Sequence, residues 1–168
     1  MKVVVIYQSK TGFSEYYAKA ISRKCMLDIY ELRKVDLDLL KEYDVIIYGA
    51  GIYSGFINGF KRLKLMVDRL DGKRLILFAV GAMPANSYAS IEKMWRRNLK
   101  EGELKTIKHF YMQGGIAYDK LGFMSKRLMK IVANNLYKKD KSHDLRESFD
   151  YTSEATLEPI IKYLRGKK

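Results

Sequence analysis

Cysteine is almost absent from this chain of 168 residues, in which Cys25 stands alone. A single cysteine excludes an internal disulfide, so the fold depends on its hydrophobic core, and the chain suits a reducing cytosol. The sequence also lacks an apolar run of transmembrane length and an N-terminal signal-peptide pattern. Together these absences predict a cytoplasmic protein that is either soluble or bound peripherally to the inner face of the membrane.

Acidic residues are too few to balance the basic ones: 32 Lys and Arg face 19 Asp and Glu, which gives a net charge of +13. Net charge does not determine a fold, but it restricts the partners, because a basic surface attracts nucleic acid, anionic lipid or anionic substrates. No nucleic-acid-binding motif accompanies the charge, so nucleic acid is not an expected partner. The excess is densest from Lys120 to Lys141.

Apolar segments typical of buried strands alternate with helical patterns along most of the chain. This alternation predicts a single α/β domain, 1–168, with a three-layer doubly wound fold and helices on both faces of a five-stranded parallel sheet in the order 2-1-3-4-5. A ligand is expected at the carboxyl ends of the first and third strands, where the strand order reverses. The predicted strands are 2–7, 26–32, 44–49, 74–80 and 106–113. The predicted helices are 14–24, 58–70, 87–99, 123–137 and a last helix that begins near Thr152. A short helix or turn is expected at 37–43, and a break at Gly102 follows the helix 87–99.

The turn after the first predicted strand, Ser9 to Ser14, is rich in hydroxyl groups and contains Gly12. A turn of this kind between a strand and a helix can bind a phosphate, because backbone N–H groups, hydroxyls and the positive end of the helix dipole converge there. Neither a P-loop pattern nor a Gly-x-Gly-x-x-Gly pattern is present, which argues against nucleoside triphosphates and dinucleotides. The alternative is a plain capped turn without a ligand.

Further loops follow the third and fourth predicted strands and could enclose a flat ring. The segment 49–56 combines three glycines with two aromatic side chains on which a ring could stack. The segment 81–88 offers Asn86 or Ser87 as hydrogen-bonding groups, and the turn 114–119 after the fifth strand is expected at the same edge. The alternatives are a mobile glycine-rich connection for the first segment and an ordinary helix cap for the second.

The hexapeptide Ser-Lys-Thr-Gly-Phe-Ser resembles the phosphate loop Ser/Thr-x-Thr-Gly-x-Ser/Thr of flavodoxins, and Gly-Ala-Gly-Ile-Tyr-Ser-Gly resembles the ring-contacting loop of that family. The resemblance covers nearly the whole chain and implies a non-covalently bound FMN cofactor. It also implies electron transfer through the flavin, so no catalytic side chain is predicted. The implied phosphate contacts are Ser9, Lys10, Thr11, Gly12, Phe13 and Ser14, and the implied ring and ribityl contacts are Gly51, Ile52, Tyr53, Ser54, Gly55, Gly81, Ala82, Met83, Asn86 and Ser87.

Within this superfamily the chain is similar to the flavodoxin-type, oxygen-independent protoporphyrinogen dehydrogenases, which are quinone-linked. Those proteins carry a long basic insertion after the fifth strand and an Asp/Glu-Tyr-Thr segment before the last helix. The counterparts here are 118–148 and the residues Phe149 to Thr152. The similarity implies an FMN-dependent dehydrogenase of heme biosynthesis or a related quinone-linked reductase. The alternative is a flavodoxin-type electron carrier that has a redox partner but no substrate of its own.

The predicted helix 123–137 within this insertion is amphipathic, and Lys126, Arg127 and Lys130 lie among its apolar residues. This composition is typical of a helix at the surface of an anionic membrane, and the same charges would suit an anionic substrate. The alternative is an ordinary surface helix that covers the sheet.

The remaining candidates for chemistry are few. His109 and His143 are far apart in the sequence and have no cysteine or carboxylate at metal-ligand spacing, so no metal site is predicted. Cys25 has no suitable base nearby in the pattern and is not expected to act as a nucleophile. Trp95 occupies a core-like position on a predicted helix, and His109 is expected to be structural.

Overall fold

The computed structural model describes residues 1–117, 126 and 148–166. The predicted insertion 118–148 and its helix 123–137 therefore lie outside the described residues, except for Lys126 and Ser148. Within the described part of the chain, no helix has both the length and the apolar character needed to cross a membrane.

A parallel sheet forms the centre of the molecule. Its strands are β1 (Val3–Gln8), β2 (Asp28–Glu31), β3 (Val45–Tyr53), β4 (Phe56–Ile57), β5 (Arg74–Gly81) and β6 (Lys108–Gln113). Five of them run parallel in the order β2-β1-β3-β5-β6, and the short β4 pairs antiparallel with the end of β3. The predicted three-layer fold and strand order are thus confirmed. Because the order reverses between β1 and β3, the loops after these two strands leave the sheet at the same edge.

Helices cover both faces of this sheet. They are α1 (Phe13–Cys25), α2 (Leu37–Lys41), α3 (Phe60–Val67), α4 (Tyr88–Asn98), α5 (Glu101–Thr106) and α6 (Glu158–Arg165), with 3-10 turns at Leu32–Lys34 and Glu154–Leu157. Successive strand residues point to opposite faces. Val5 and Ile47 are buried in one cluster with residues of α1 and α6, whereas Val4 and Ile46 are buried in a second cluster with residues of α2, α3 and α4. Trp95 of α4 belongs to that second cluster, as predicted.

The segment 49–56, predicted as a glycine-rich loop, is instead a β-hairpin. Strand β3 does not end at Gly49 but continues to Tyr53, because Gly51 still pairs with Val80 of β5 and Tyr53 then pairs with Phe56 of β4. The two residues of the hairpin turn, Ser54 and Gly55, have φ angles of 52° and 82°. Two consecutive positive φ angles are typical of the type I′ turn, whose twist suits a two-residue hairpin.

Two helix boundaries near the C-terminal half also differ from the prediction. Gly102 does not break the chain; it lies in the first turn of α5, where the Glu103 carboxylate accepts the backbone N–H of Lys100 at 2.8 Å. The last α-helix begins at Glu158 rather than near Thr152, after a 3-10 turn whose Ser153 hydroxyl accepts the N–H of Ala155 at 3.3 Å. Each of these two segments begins with a capping hydrogen bond.

Candidate cofactor site

The loops that follow β1, β3, β5 and β6 enclose a cavity of about 240 Å³ at the carboxyl edge of the sheet. Backbone and side-chain atoms from all four loops contribute to its wall, and apolar groups predominate. Its lining residues are Thr11, Phe13, Ser14, Gly51, Ile52, Tyr53, Ser54, Val80, Gly81, Ala82, Gly115, Ile116 and Ala117. The cavity therefore lies at the edge where the reversal of strand order predicts a ligand.

The loop after β1 leads into a helix whose N-terminus has no side-chain cap. Gly12 adopts a φ of 101°, and its N–H is donated to the Ser9 hydroxyl at 3.0 Å, which folds the loop back on itself. Helix α1 begins at the next residue, and no side chain of the described residues accepts its first N–H groups. The one acid of the first turn, Glu15, is paired with Lys19 at 2.6 Å. Such an end carries positive partial charge and free donors, which suit an anion.

The Tyr53 side chain connects the β3–β4 hairpin to this loop. Its ring centroid lies 4.8 Å from the Lys10 ammonium, and its hydroxyl is hydrogen-bonded to the side chain of Thr11. The ring also lies against Gly51, where an added Cβ would come within 3.1 Å of Tyr53 Cε2. Burial raises the pKa of Tyr53 above its ordinary value, although the hydrogen bond from Thr11 acts in the opposite direction. The phenol therefore stays neutral near pH 7 and adds no negative charge beside the loop.

The loop after β5 is fixed from β6. The Tyr111 hydroxyl donates to the carbonyl of Met83 at 2.7 Å, and the Gln113 side-chain oxygen accepts the N–H of Ala85 at 3.2 Å. A Cβ at Gly81 would lie only 2.9 Å from the Tyr111 oxygen and 3.0 Å from Ile52, so a larger residue here would displace the ends of these two side chains. These hydrogen bonds fix the loop after β5 where it contributes to the cavity wall.

The turn after β6 brings a distant segment of the chain to the site. Strands β7 (Gly115–Ile116) and β8 (Phe149–Asp150) pair antiparallel, and the N–H of Tyr151 donates to the carbonyl of Gly114 at 3.1 Å. A second cavity of about 480 Å³ lies beside the first, shares part of its wall with it, and is lined by the following residues: Thr11, Gly12, Phe13, Tyr16, Ile116, Ala117, Ser148, Phe149, Asp150 and Thr152. Residues of the segment 148–152 therefore line a cavity that adjoins the first one.

Helix α4 holds the hairpin from the other side. The Asn98 amide donates to the carbonyl of Gly55 at 2.9 Å and accepts the N–H of Ile57 at 2.9 Å. The Arg97 guanidinium donates to the carbonyl of Ser54 at 3.2 Å and lies 5.1 Å from the centre of the Phe56 ring. These contacts form what we call the α4 clamp, and they fix the tip of the hairpin next to the cavity.

The structure brings together most of the site residues predicted from the sequence. Nine of them line the first cavity, Gly12 lines the second, and Gly55 and Met83 line a neighbouring groove next to α4. Ser9 and Lys10 belong to the loop before α1 but do not line these cavities, and Asn86 and Ser87 also lie outside their lining. Among the lining residues that the sequence did not single out are Val80 and Tyr16. His109 packs against Trp95, with ring centres 4.6 Å apart.

This fold and this site together define a class of proteins. A doubly wound sheet in the order 2-1-3-4-5, with an uncapped helix and a cavity at the ends of the first and third strands, is the flavodoxin-like architecture. The family model described as the flavodoxin domain matches residues 4–144. The chain belongs to the flavodoxin domain family, whose flavodoxin-like homologues bind FMN.

Individual relatives are distant. An uncharacterised protein of Methanocaldococcus jannaschii is 28% identical over 121 residues, which cover 70% of this chain and 79% of that protein. A solved flavodoxin from the domain Archaea is 20% identical, with 82% of this chain and 99% of that chain covered and a TM-score of 0.44. A putative flavoprotein from Bacteroides uniformis is 19% identical, with 71% of this chain and 94% of that chain covered and a TM-score of 0.45.

Proposed function

We propose that this chain binds FMN non-covalently at the carboxyl ends of β1 and β3 and acts as a redox protein through it. The observation that carries the proposal is the pairing of an uncapped helix N-terminus with an adjoining apolar cavity. The first feature suits the phosphate of FMN and the second suits its ring system, so the residues present fit the group at both of its chemically different ends.

The loop from Ser9 to Ser14 supports the proposed binding of the phosphate of FMN. The N–H groups at the start of α1 supply donors, and the positive φ of Gly12 turns the chain into the helix without a side chain that would fill the space. Lys10 adds a positive charge beside Tyr53. These residues would hold a dianionic phosphate and would discriminate against a flavin that lacks one.

The hairpin and the loops after β5 and β6 support the proposed binding of the ring system of FMN. Ile52, Val80 and Ile116 provide apolar wall, and Tyr53 provides an aromatic face. When bound, FMN would supply one-electron and two-electron transfer. The side chains would bind and orient the ring and exclude water from part of it, and Tyr53 would stay neutral beside Lys10.

At a finer level, the proposed activity is that of an oxidoreductase of the protoporphyrinogen dehydrogenase type or of a related quinone-linked reductase. Family membership fits an enzyme and an electron carrier equally well. Support for an enzyme comes from the net charge of +13, which suits an anionic substrate, and from the similarity of Phe149–Thr152 to the segment before the last helix in that branch. The carrier without its own substrate is the second candidate, favoured by the similarity to solved flavodoxins.

An anionic membrane surface is a further proposed partner. The support is the density of positive charge in the sequence around Lys126, Arg127 and Lys130. Binding to vesicles of anionic lipid that weakens with salt, and that is lost when these three residues are neutralised, is the expected result. Binding of the protein to vesicles that does not depend on the charge of the lipid would contradict this proposal.

The absorption spectrum of the purified protein tests the proposed function. We expect a yellow protein with flavin absorption, or a colourless protein that becomes yellow when FMN is added and unbound FMN is removed. An enzyme of the proposed type would have its flavin reduced by protoporphyrinogen and reoxidised by a quinone. Absence of turnover with both, together with electron exchange with a ferredoxin-type reductase, would favour the carrier. A protein that cannot retain FMN would refute the proposal in either form.

A further inference from the structure

A separate groove adjoins the proposed cofactor cavity on the side of α4. It has a volume of about 300 Å³ and shares Ile52, Ser54, Gly81 and Ala82 with the cavity wall. Its remaining lining comes from the hairpin, the loop after β5 and one face of α4. A molecule in this groove, which we call the α4 groove, would therefore lie in direct contact with the place where the ring of the cofactor is proposed to bind.

Two cationic side chains of α4 line the α4 groove. Lys93 and Arg97 are four residues apart, so they lie on the same face of the helix. Among the described residues, no carboxylate forms an ion pair with either of them, whereas the adjacent Arg96 is paired with Glu92 at 2.7 Å. The positive charge on this face of α4 is thus not neutralised by the described part of the protein, although both side chains are exposed to solvent.

The Arg97 guanidinium is held in a defined position. One of its nitrogens donates to the carbonyl of Ser54 at 3.2 Å, and the same nitrogen would lie 2.6 Å from a Cβ at Gly55. The group also lies against the ring of Phe56, at 5.1 Å from its centre. A guanidinium has five N–H donors, so this arrangement leaves donors for a ligand without further loss of side-chain freedom.

The other lining of the α4 groove is largely apolar. Met83 comes from the loop after β5, the buried Met94 comes from α4, and Ile52 comes from the hairpin. Thioether side chains adapt to ligands of different shape and make favourable contacts with aromatic rings. An inorganic anion would gain little from such a surface, whereas an organic anion could place its apolar body on Met83 and Ile52 and its charge near Lys93 and Arg97.

We propose that the α4 groove binds a small organic anion with an apolar, ring-containing body, such as a quinone that carries a carboxylate or sulfonate. This inference rests on the proposed function, because it makes the groove the substrate site of the same redox centre. Lys93 and Arg97 would make the groove prefer an anionic ligand over a neutral one. Because both side chains are exposed, we expect this preference to be only a few-fold in affinity.

Two matched probes test this proposal: anthraquinone-2-sulfonate, which is an anion, and anthraquinone-2-sulfonamide, which is neutral and has the same ring system. Their dissociation constants are measured by calorimetry on the FMN-loaded protein at low salt, after the flavin content has been determined from absorbance. We expect the sulfonate to bind about fivefold more tightly than the sulfonamide, and we expect added salt to reduce the difference.

The test variant is Lys93→Gln/Arg97→Gln, in which the two probes should bind within about twofold of each other. The control is Lys162→Gln/Arg165→Gln, which removes the same two charges from α6 on the opposite face of the sheet and should retain the preference. Equal binding of the probes by the parent protein, or an unchanged preference in the test variant, would overturn the α4 groove proposal alone. A protein that retains no FMN would overturn this proposal together with the proposed function.

Discussion

At the scale of single residues, glycines determine where the loops of the site can run. Gly12 needs a positive φ to turn the chain into α1, and Gly115 lies so close to the backbone of Phe149 that a Cβ would come within 2.0 Å of its carbonyl oxygen. These are different requirements, one of conformation and one of space. The requirement for a positive φ can be tested by itself, because none of the described residues has an atom within 4 Å of a Cβ at Gly12.

We expect Gly12→Ala to lower the free energy of unfolding by about 1 to 2 kcal/mol, because an L side chain is strained at this φ. We also expect it to weaken FMN binding, because the loop can no longer present its N–H groups in the same arrangement. The matched control is Gly72→Ala, where φ is 71° and the described residues likewise leave the space open. Gly72 lies in the turn before β5 and not in the loop from Ser9 to Ser14. Urea unfolding and FMN titration separate the two effects. Equal loss of FMN affinity in both variants would contradict the assignment of the loop.

At the scale of secondary structure elements, the site depends on a hairpin that is held by a helix. The Asn98 amide replaces backbone pairing on the outer side of β4, since it bonds both Gly55 and Ile57. The loop that faces the cavity is therefore fixed by a side chain more than forty residues away in sequence. Preorganisation of this kind favours ligand binding, because the loop does not need to be ordered when the ligand arrives.

Removal of the Asn98 amide should lower both the stability of the fold and the affinity for FMN. We expect Asn98→Ala to cost about 1 to 3 kcal/mol of unfolding free energy, since it leaves backbone groups of the hairpin without partners. The dissociation constant for FMN should rise in parallel. The control Arg96→Gln removes only an exposed pair with Glu92 on the same helix and should change stability by less than about 0.5 kcal/mol. An Asn98→Ala protein with unchanged stability and FMN binding would show that the α4 clamp has no role.

Elements with a strong periodic pattern could be predicted from the sequence. The apolar runs of β1, β3 and β5 predict a buried parallel sheet, and the turn from Ser9 to Ser14 predicts an anion site at its edge. The three glycines of the segment 49–56 favour a loop, which is why the hairpin differs from the prediction. Tyr53 and Phe56 on either side of Ser54-Gly55 nevertheless form a recognisable hairpin pattern. The pairing of β7 with β8 could not be predicted, because strands of two residues have no periodicity and their partners are more than thirty positions apart.

At the scale of the whole molecule, positive charge is the property that distinguishes the surface. A net charge of +13 should steer anionic partners toward the protein and repel cationic ones, and the effect should decrease with ionic strength. Some acidic residues form ion pairs that join different secondary structure elements. Glu103 of α5 is one of these: its carboxylate lies 2.9 Å from the Lys64 ammonium of α3 and is mostly shielded from solvent.

Stability should depend on pH through Glu103. Partial burial alone would raise the pKa of this carboxyl, but the N–H of Lys100 and the ammonium of Lys64 together hold its pKa below the ordinary 4.5. A group with a lowered pKa stabilises the fold fully above its unfolded-state value, and the contribution is lost as pH falls through the folded-state pKa. Glu103→Gln should therefore reduce stability at pH 7 by about 1 kcal/mol and make stability less dependent on pH below 4.5.

The control for this experiment lies on the same helix. Glu101 forms only an exposed pair with Lys105, at 3.8 Å, so Glu101→Gln should leave the curve of unfolding free energy against pH nearly unchanged. Urea unfolding between pH 7 and pH 3 provides the comparison. Identical curves for the two variants would show that the contact between α3 and α5 contributes nothing to the pH dependence.

Binding of the FMN phosphate by the loop from Ser9 to Ser14 is tested most directly by calorimetric titration of the cofactor-free protein with FMN and with riboflavin. The two ligands share the ring and the ribityl chain and differ only in the phosphate. We predict one FMN per chain, bound at least about 100-fold more tightly than riboflavin, because charge-assisted hydrogen bonds to the phosphate are the strongest contacts that this site offers. Equal affinity for the two flavins, or no binding of FMN, would contradict the account.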